Sequence, residues 1–277
     1  MTTEQMTWID AFGSSHTFPD PNIAGVTGRG MPQVRNQLDP IAGGGSRLIR
    51  SEFLARRITV PFVIVGDEVT ARTTIRQWAG WLNPLNGMGK LSVLTVLGDT
   101  RVIPAIYSGG LEGIEESSGY YEGTLVFDCP DPYWQDATPQ TVTWTMVAGP
   151  FWSPVTAVTI NNNGDAPVWP KITFTNAVAN GLPGKSGVIT IAGGNLGFTT
   201  NTWPAFNTPT SFTIDTDPTS RDAVSNLGDS GWQNMDFRAC NQLVVGNNTG
   251  IVVNTGGAPM AVGSTCVVSW TRKWLHV

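Results

Sequence analysis

Glycine and proline interrupt this chain too often for long helices: they supply 32 and 19 of its 277 residues. Both are poor in a helix interior, glycine because ordering it costs backbone entropy and proline because it lacks an N–H and clashes with the preceding turn. One stretch escapes this punctuation. Over residues 70–82 the apolar residues Ile75, Trp78, Ala79 and Leu82 recur at helical spacing, with Arg72, Arg76 and Gln77 off the stripe. Asn83-Pro84 ends it, because a residue preceding proline is pushed out of the helical region. Elsewhere, short runs rich in β-branched and aromatic residues lie between turn formers, so the chain reads as mainly β with one α-helix.

Composition divides the chain in two. Residues 151–277 carry six residues of each charge sign, so the whole net charge of −5 belongs to the first half. No glutamate follows Glu122, and fourteen of the eighteen asparagines follow residue 150. We therefore expect two domains, 1–149 and 150–277. In the first, strands are expected at 57–65, 90–97, 101–107, 125–128 and 141–147, with Gly98-Asp99-Thr100 as a hairpin turn. Pro61 and Pro104 should fall at sheet edges or bulges, since neither can donate to a ladder. In the second, candidates at 156–160, 171–175, 188–191, 211–214, 242–245, 251–253 and 266–270 make roughly seven short strands, the pattern of a β-sandwich. Residues 18–46 fit neither period. Their prolines and glycines, with Arg29, Arg35 and Asp39 scattered among them, read as a long extended loop. A loop that cannot pack on its own domain is a candidate to pack on a neighbour.

Several function classes are disfavoured. Lysine and arginine do not cluster and the net charge is negative, so counterion release from a phosphate backbone would contribute little to affinity, and specific nucleic-acid binding is not expected. The first ten residues carry Glu4 and Asp10 and lack the apolar core of a signal peptide, and the apolar run 60–65 contains Pro61 and is too short to span a bilayer. Three separated cysteines, Cys129, Cys240 and Cys266, read as free thiols, and with only His16 and His276 beside them no zinc site is expected.

Each candidate chemistry meets a simpler structural reading. Gly228-Asp229-Ser230-Gly231 looks like a serine-protease nucleophile loop, but Trp232 follows where glycine is expected, and neither His16 nor His276 has the surroundings of a catalytic base. It reads as a turn. Glu115 and Glu116, with Glu112 and Glu122 nearby, could suggest a glycosidase pair, yet adjacent residues on a strand point to opposite faces. Gly43-Gly44-Gly45-Ser46 lacks the Gly-Lys-Ser/Thr ending of a phosphate loop. Trp152, Trp169, Trp203, Trp232, Trp270 and Trp274 suit either sugar stacking or core packing. No catalytic residue, cofactor site or metal site is assigned.

Several phrases, read in order, resemble the siphophage distal tail protein family. They are Trp81-Leu82-Asn83-Pro84, Gly89-Lys90-Leu91, a hairpin carrying Arg101, Tyr107-Ser108-Gly109-Gly110-Leu111, and a run from Leu125 ending in Asp131-Pro132-Tyr133-Trp134. Beyond them come Asn161-Asn162-Asn163-Gly164-Asp165, Trp169-Pro170-Lys171-Ile172, Phe212-Thr213-Ile214-Asp215 and Val268-Ser269-Trp270-Thr271-Arg272-Lys273-Trp274. The likeness covers roughly residues 55–277. It implies a ring-forming N-terminal domain that is β-barrel-like with one helix, a galectin-like C-terminal β-sandwich, and a non-enzymatic role as a hexameric adaptor in the virion tail, assembled in the host cytoplasm. The implied partners are the tail tube protein and the tail tip hub, with the tape measure protein as a further candidate. Two hypotheses follow: that residues 18–46 cross to the adjacent subunit, and that surplus acid in the first half faces a DNA channel. The alternative from another class is a carbohydrate-binding module contacting host glycan through Trp203 or Trp232.

Overall fold

The computed structural model describes residues 4–18, 25–113, 115–117, 120–148, 152–153, 155–177, 186–199, 210–228, 230, 235–236, 241–253 and 261–277. They form two compact units, Met1–Ala137 with Trp274–Val277, and Thr138–Lys273. The division falls ahead of the compositional change near residue 149, because the strand following Ala137 pairs in the second unit. Composition does not report which sheet a strand enters.

The first unit contains β1 (Gln5–Ile9), β2 (Ser15–Thr17), β3 (Val34–Pro40), β4 (Ser46–Phe53), β5 (Arg56–Val65), α1 (Glu68–Trp81), β6 (Gly89–Leu94), β7 (Thr100–Gly109), β8 (Glu115–Ser117), β9 (Tyr120–Cys129) and β10 (Trp134–Asp136). Its main sheet runs β2-β1-β6-β7-β10, and β9 pairs with β7, β5 and β8. Period-two burial is regular along β5, where Ile58, Val60, Phe62 and Ile64 face the core. They meet Met6, Trp8, Leu91, Val93, Leu125 and Phe127, and Trp78 of α1 packs edge-on against Phe62 at 4.8 Å. The β6–β7 hairpin turns through Gly98, whose φ of 87° suits its glycine.

The helix begins two residues before its expected start because Asp67 caps it, accepting from the Thr70 N–H at 2.8 Å. Ala71, Trp78 and Leu82 are its buried positions and Ile75 is partly buried, whereas Ala79 is exposed. The inward stripe is therefore rotated toward Ala71. Pro61 lies on β5, whose other edge carries a single bridge, Thr27 to Thr59, among the described residues. Pro104 is neither at an edge nor in a bulge. It pairs with Lys90 on one side and on the other falls between Val102, which pairs with β10, and Ile106, which pairs with β9, where no ladder N–H is required.

The second unit contains β11 (Gln140–Met146), β12 (Trp152–Ser153), β13 (Val158–Asn162), β14 (Lys171–Thr175), β15 (Ser186–Ile191), β16 (Gly194–Thr199), β17 (Ser211–Asp215), β18 (Asp222–Ser225), β19 (Met235–Asp236), β20 (Gly246–Val253) and β21 (Thr265–Trp270). One sheet runs β12-β11-β21-β14-β17-β18 and the other β13-β20-β15-β16-β19. Trp144, Phe174, Phe212 and Val268 of the first share a core with Ile160, Ile189 and Val252 of the second, which makes the unit a two-sheet β-sandwich. The strand expected at 242–245 is absent. Asn248 accepts from the Val244 N–H at 2.9 Å and donates to the Val244 and Gly246 carbonyls, so a side chain supplies locally what a ladder would have, and the strand starts at Gly246.

Candidate assembly surface

The second part of the segment expected to be a loop, from residue 34, is one arm and the tip of a β-ribbon. Residues 19–24 lie outside the described residues, and Phe18 is buried in the core, but β3 and β4 pair antiparallel from Val34 opposite Phe53 to Pro40 opposite Ser46. The sequence conceals this because Ile49 is an extra residue: Gln37 pairs with Arg50 and Leu38 with Leu48, so the alternation of β4 slips by one position. The tip turns through Gly43, Gly44 and Gly45, all with φ between 86° and 105°, a region that side chains disfavour.

The ribbon has two chemically different faces. Pairing and alternation place Arg35, Gln37 and Asp39 on one face with Glu52, Arg50 and Arg47. The charges there form ion pairs: Arg35 with Glu52, Arg50 with Glu52 at 2.8 Å, and Arg47 with Asp39 at 3.5 Å. The opposite face carries Val34, Leu38, Leu48 and Phe53, with a hydrogen bond from the Ser51 hydroxyl to Asn36 at 2.7 Å. Leu38 is 57% and Leu48 56% exposed. A two-stranded ribbon is marginal alone in water, and burying the exposed part of either leucine would contribute about 1–2 kcal/mol.

Its root is rigid. The Leu54 N–H donates to the Gln33 carbonyl at 2.9 Å, closing the base of the hairpin. Phe53 meets Tyr133 edge-on at 5.9 Å. Next in the chain, Arg56 is 4% exposed and donates to the carbonyls of Gly28, Arg29 and Gly30 at 2.9, 3.2 and 2.7 Å, and to that of Pro132 at 2.9 Å. Burial draws its guanidinium below the ordinary value, partly offset by Cys129 and Asp131. Arg29 in turn forms a two-bond pair with Glu4 at 2.8 and 3.0 Å. The sequence reading missed Arg56, whose only local signal is that it is the first of two arginines opening β5.

The residues weighed for catalysis are engaged in local structural contacts within their own units. His16 bonds Asp10 at 2.9 Å and stacks on Trp81 at 4.1 Å between ring centroids, while Asp10 also accepts from the Phe12 and Ser14 N–H groups. The His16 bond is the main reason the Asp10 carboxyl sits below its ordinary range. Ser230 belongs to the other unit and bridges Val224; Asp229 and Gly231 lie outside the described residues. His276 offers its backbone carbonyl to Arg101 at 2.6 Å. Glu115 and Glu116 are consecutive on β8, and Glu112 accepts from the Gly110 N–H at 2.8 Å. Trp152 and Trp270 are core residues, Trp169 and Trp274 are half-buried, and Trp203 and Trp232 lie outside the described residues. Among the described residues no group of three or more histidine, cysteine or acidic side chains converges as a metal site would require, and no helix is long and apolar enough to cross a membrane.

No protein-family profile matches the sequence, and no curated protein does. Solved structures do. The Dit protein of phage SPP1, described as a paradigm of the hub adsorption apparatus in phages infecting Gram-positive bacteria, superposes with a TM-score of 0.68 at 17% identity, over 98% of this chain and 99% of that one. The chain has the fold of a phage distal tail protein. Chains from the phage p2 baseplate in its activated conformation, with strontium and with calcium, match over 100% of both chains with TM-scores of 0.56 at 10% and 11% identity. The likeness in fold thus extends over nearly the whole chain.

Proposed function

We propose that this protein is a structural component of a siphophage virion, forming a hexameric adaptor ring between the tail tube and the tail tip or baseplate, with a central channel for DNA. One observation carries the reading: the β3–β4 ribbon presents an apolar face that its own chain leaves exposed. Ring closure requires a heterologous contact in which one surface of each copy meets a different surface of the next, and a projecting ribbon supplies such a contact. The role needs no catalytic residue, cofactor or metal. The tube protein, the tip hub and the tape measure protein are the partners it implies, and assembly would take place in the host cytoplasm. The acidic surplus of the first half supports a channel wall that repels DNA.

Native mass spectrometry and electron microscopy of the purified protein test the ring directly. Six-fold rings that revert to monomers in a Leu38→Asp/Leu48→Asp variant are the expected result. Since rings can also require a template, the protein should be tagged and located in virions; its absence from the distal end of the tail overturns the proposal. No described residue favours the glycan-binding alternative.

A further inference from the structure

Four residues that follow the second unit belong to the first. Trp274–Val277 lies against the first unit through contacts that lead to the ribbon root. The Trp274 indole N–H donates to Asp136 at 2.8 Å, and the Arg101 guanidinium stacks over the same indole at 4.2 Å while donating to the His276 carbonyl. Val277 packs on the core. The Leu275 carbonyl accepts from Arg56 at 2.9 Å, and this is the same buried guanidinium that holds Gly28, Arg29 and Gly30.

Arg56 therefore joins four pieces of chain: the strand leaving the ribbon, the loop entering it, the turn at Pro132, and the returning segment. A buried guanidinium that loses an acceptor carries an uncompensated desolvation cost, which turning the planar fork toward water would relieve only at the expense of its bonds to the Gly28, Arg29 and Gly30 carbonyls. We propose that Trp274–Val277 is a clasp on the ribbon root, so that the surface used for ring closure is completed only after the second unit has been synthesised. The inference rests on the ring reading for its purpose but not for its geometry. Because a chain folds as it emerges, an incomplete copy would have its sheet yet lack an ordered arm, and so would be kept out of a closed ring.

Hydrogen exchange on dilute, monomeric full-length protein reads the clasp without reference to rings. The reporters are the Thr27 amide, bonded to Thr59 at 3.1 Å, and the Leu54 amide at the ribbon base. In Trp274→Ala, and in a chain ended at Lys273, both should exchange about ten-fold faster or more, with amides of β14 and β21 unchanged. Arg101→Gln, which loosens the segment but keeps Arg56 and Trp274, should give a smaller change in the same amides and serves if the stronger variants do not fold. Faster exchange confined to β7 and β10, with Thr27 and Leu54 at wild-type rates, overturns the proposal. Native mass spectrometry of the same samples separates the two readings: a wild-type protein that never closes into rings removes the ring, while the exchange result decides the clasp.

Discussion

Gly89 lies flat against the indole of Trp8: a Cβ at position 89 would stand 2.4 Å from Trp8 Cζ2 and 2.5 Å from the Ile9 carbonyl oxygen. The indole cannot retreat, because its N–H donates to the Trp81 carbonyl at 3.0 Å and its ring packs 5.2 Å from Phe127. Gly89→Ala should lower the stability of the first unit by about 2–3 kcal/mol through overpacking. Gly80 is the control: it sits within α1 and a Cβ there meets nothing within 4 Å. Gly80→Ala should raise stability by about 0.5–1 kcal/mol. Urea denaturation followed by circular dichroism checks both, and a neutral Gly89→Ala contradicts the packing described.

The turn joining β15 to β16 places Ala192 at φ 50°, next to Gly193 at φ 79°. Two successive positive φ values make a hairpin turn that favours asparagine at the first position. Ala192→Asn is expected to stabilise the second unit by roughly 0.5–1 kcal/mol, visible as a higher melting temperature in calorimetry. A lower one would mean that the partial packing of Ala192 on the sandwich core outweighs the backbone term.

Acid should loosen the helix start. Asp67 is held below its ordinary value of 3.8 by the Thr70 side chain and then the Thr70 backbone N–H. Its folded-state pKa is depressed, so its contribution is present above the unfolded value and is lost as pH falls through the lower, folded value. Asp67→Asn keeps a capping side chain without the charge. The variant should lose less stability than wild type between pH 5 and about 2, and equal losses in paired denaturation curves would refute the assignment.

Cys129 and Cys266 should be chemically silent in the native protein. Burial pushes the Cys129 thiol up to about 12 and raises Cys266 well above its usual range, so neither presents thiolate at neutral pH. Alkylation at pH 8 followed by peptide mapping should find both unmodified until denaturant is added; rapid native labelling of Cys129 would contradict its burial.

Regular elements were the legible part. The run 57–65 announced β5 because each second residue enters the core, and the β6–β7 hairpin was marked by its Gly-Asp turn. The ribbon was illegible for a local reason: Pro40 sits at its last pair, and the extra Ile49 breaks the alternation on which strand recognition relies. The second-unit boundary was blurred because β11 carries neither the glutamate that marks the first half nor the asparagine that marks the second, yet pairs with β21. Of the assembly surface, Arg35 and Asp39 were noticed, but not that they share a face with Arg47, Arg50 and Glu52.

Sequence alone determined the β-rich class, the single long helical stretch and the spacing of the turns, because these depend on propensities and periods acting over a few residues. Tertiary structure decided where Arg56 finds its carbonyl acceptors, which face of the ribbon is bare, and that Trp274 returns to Asp136 across 138 positions. Such contacts follow from chain segments meeting in space, and no local pattern encodes which distant backbone oxygen will lie within reach of a buried guanidinium.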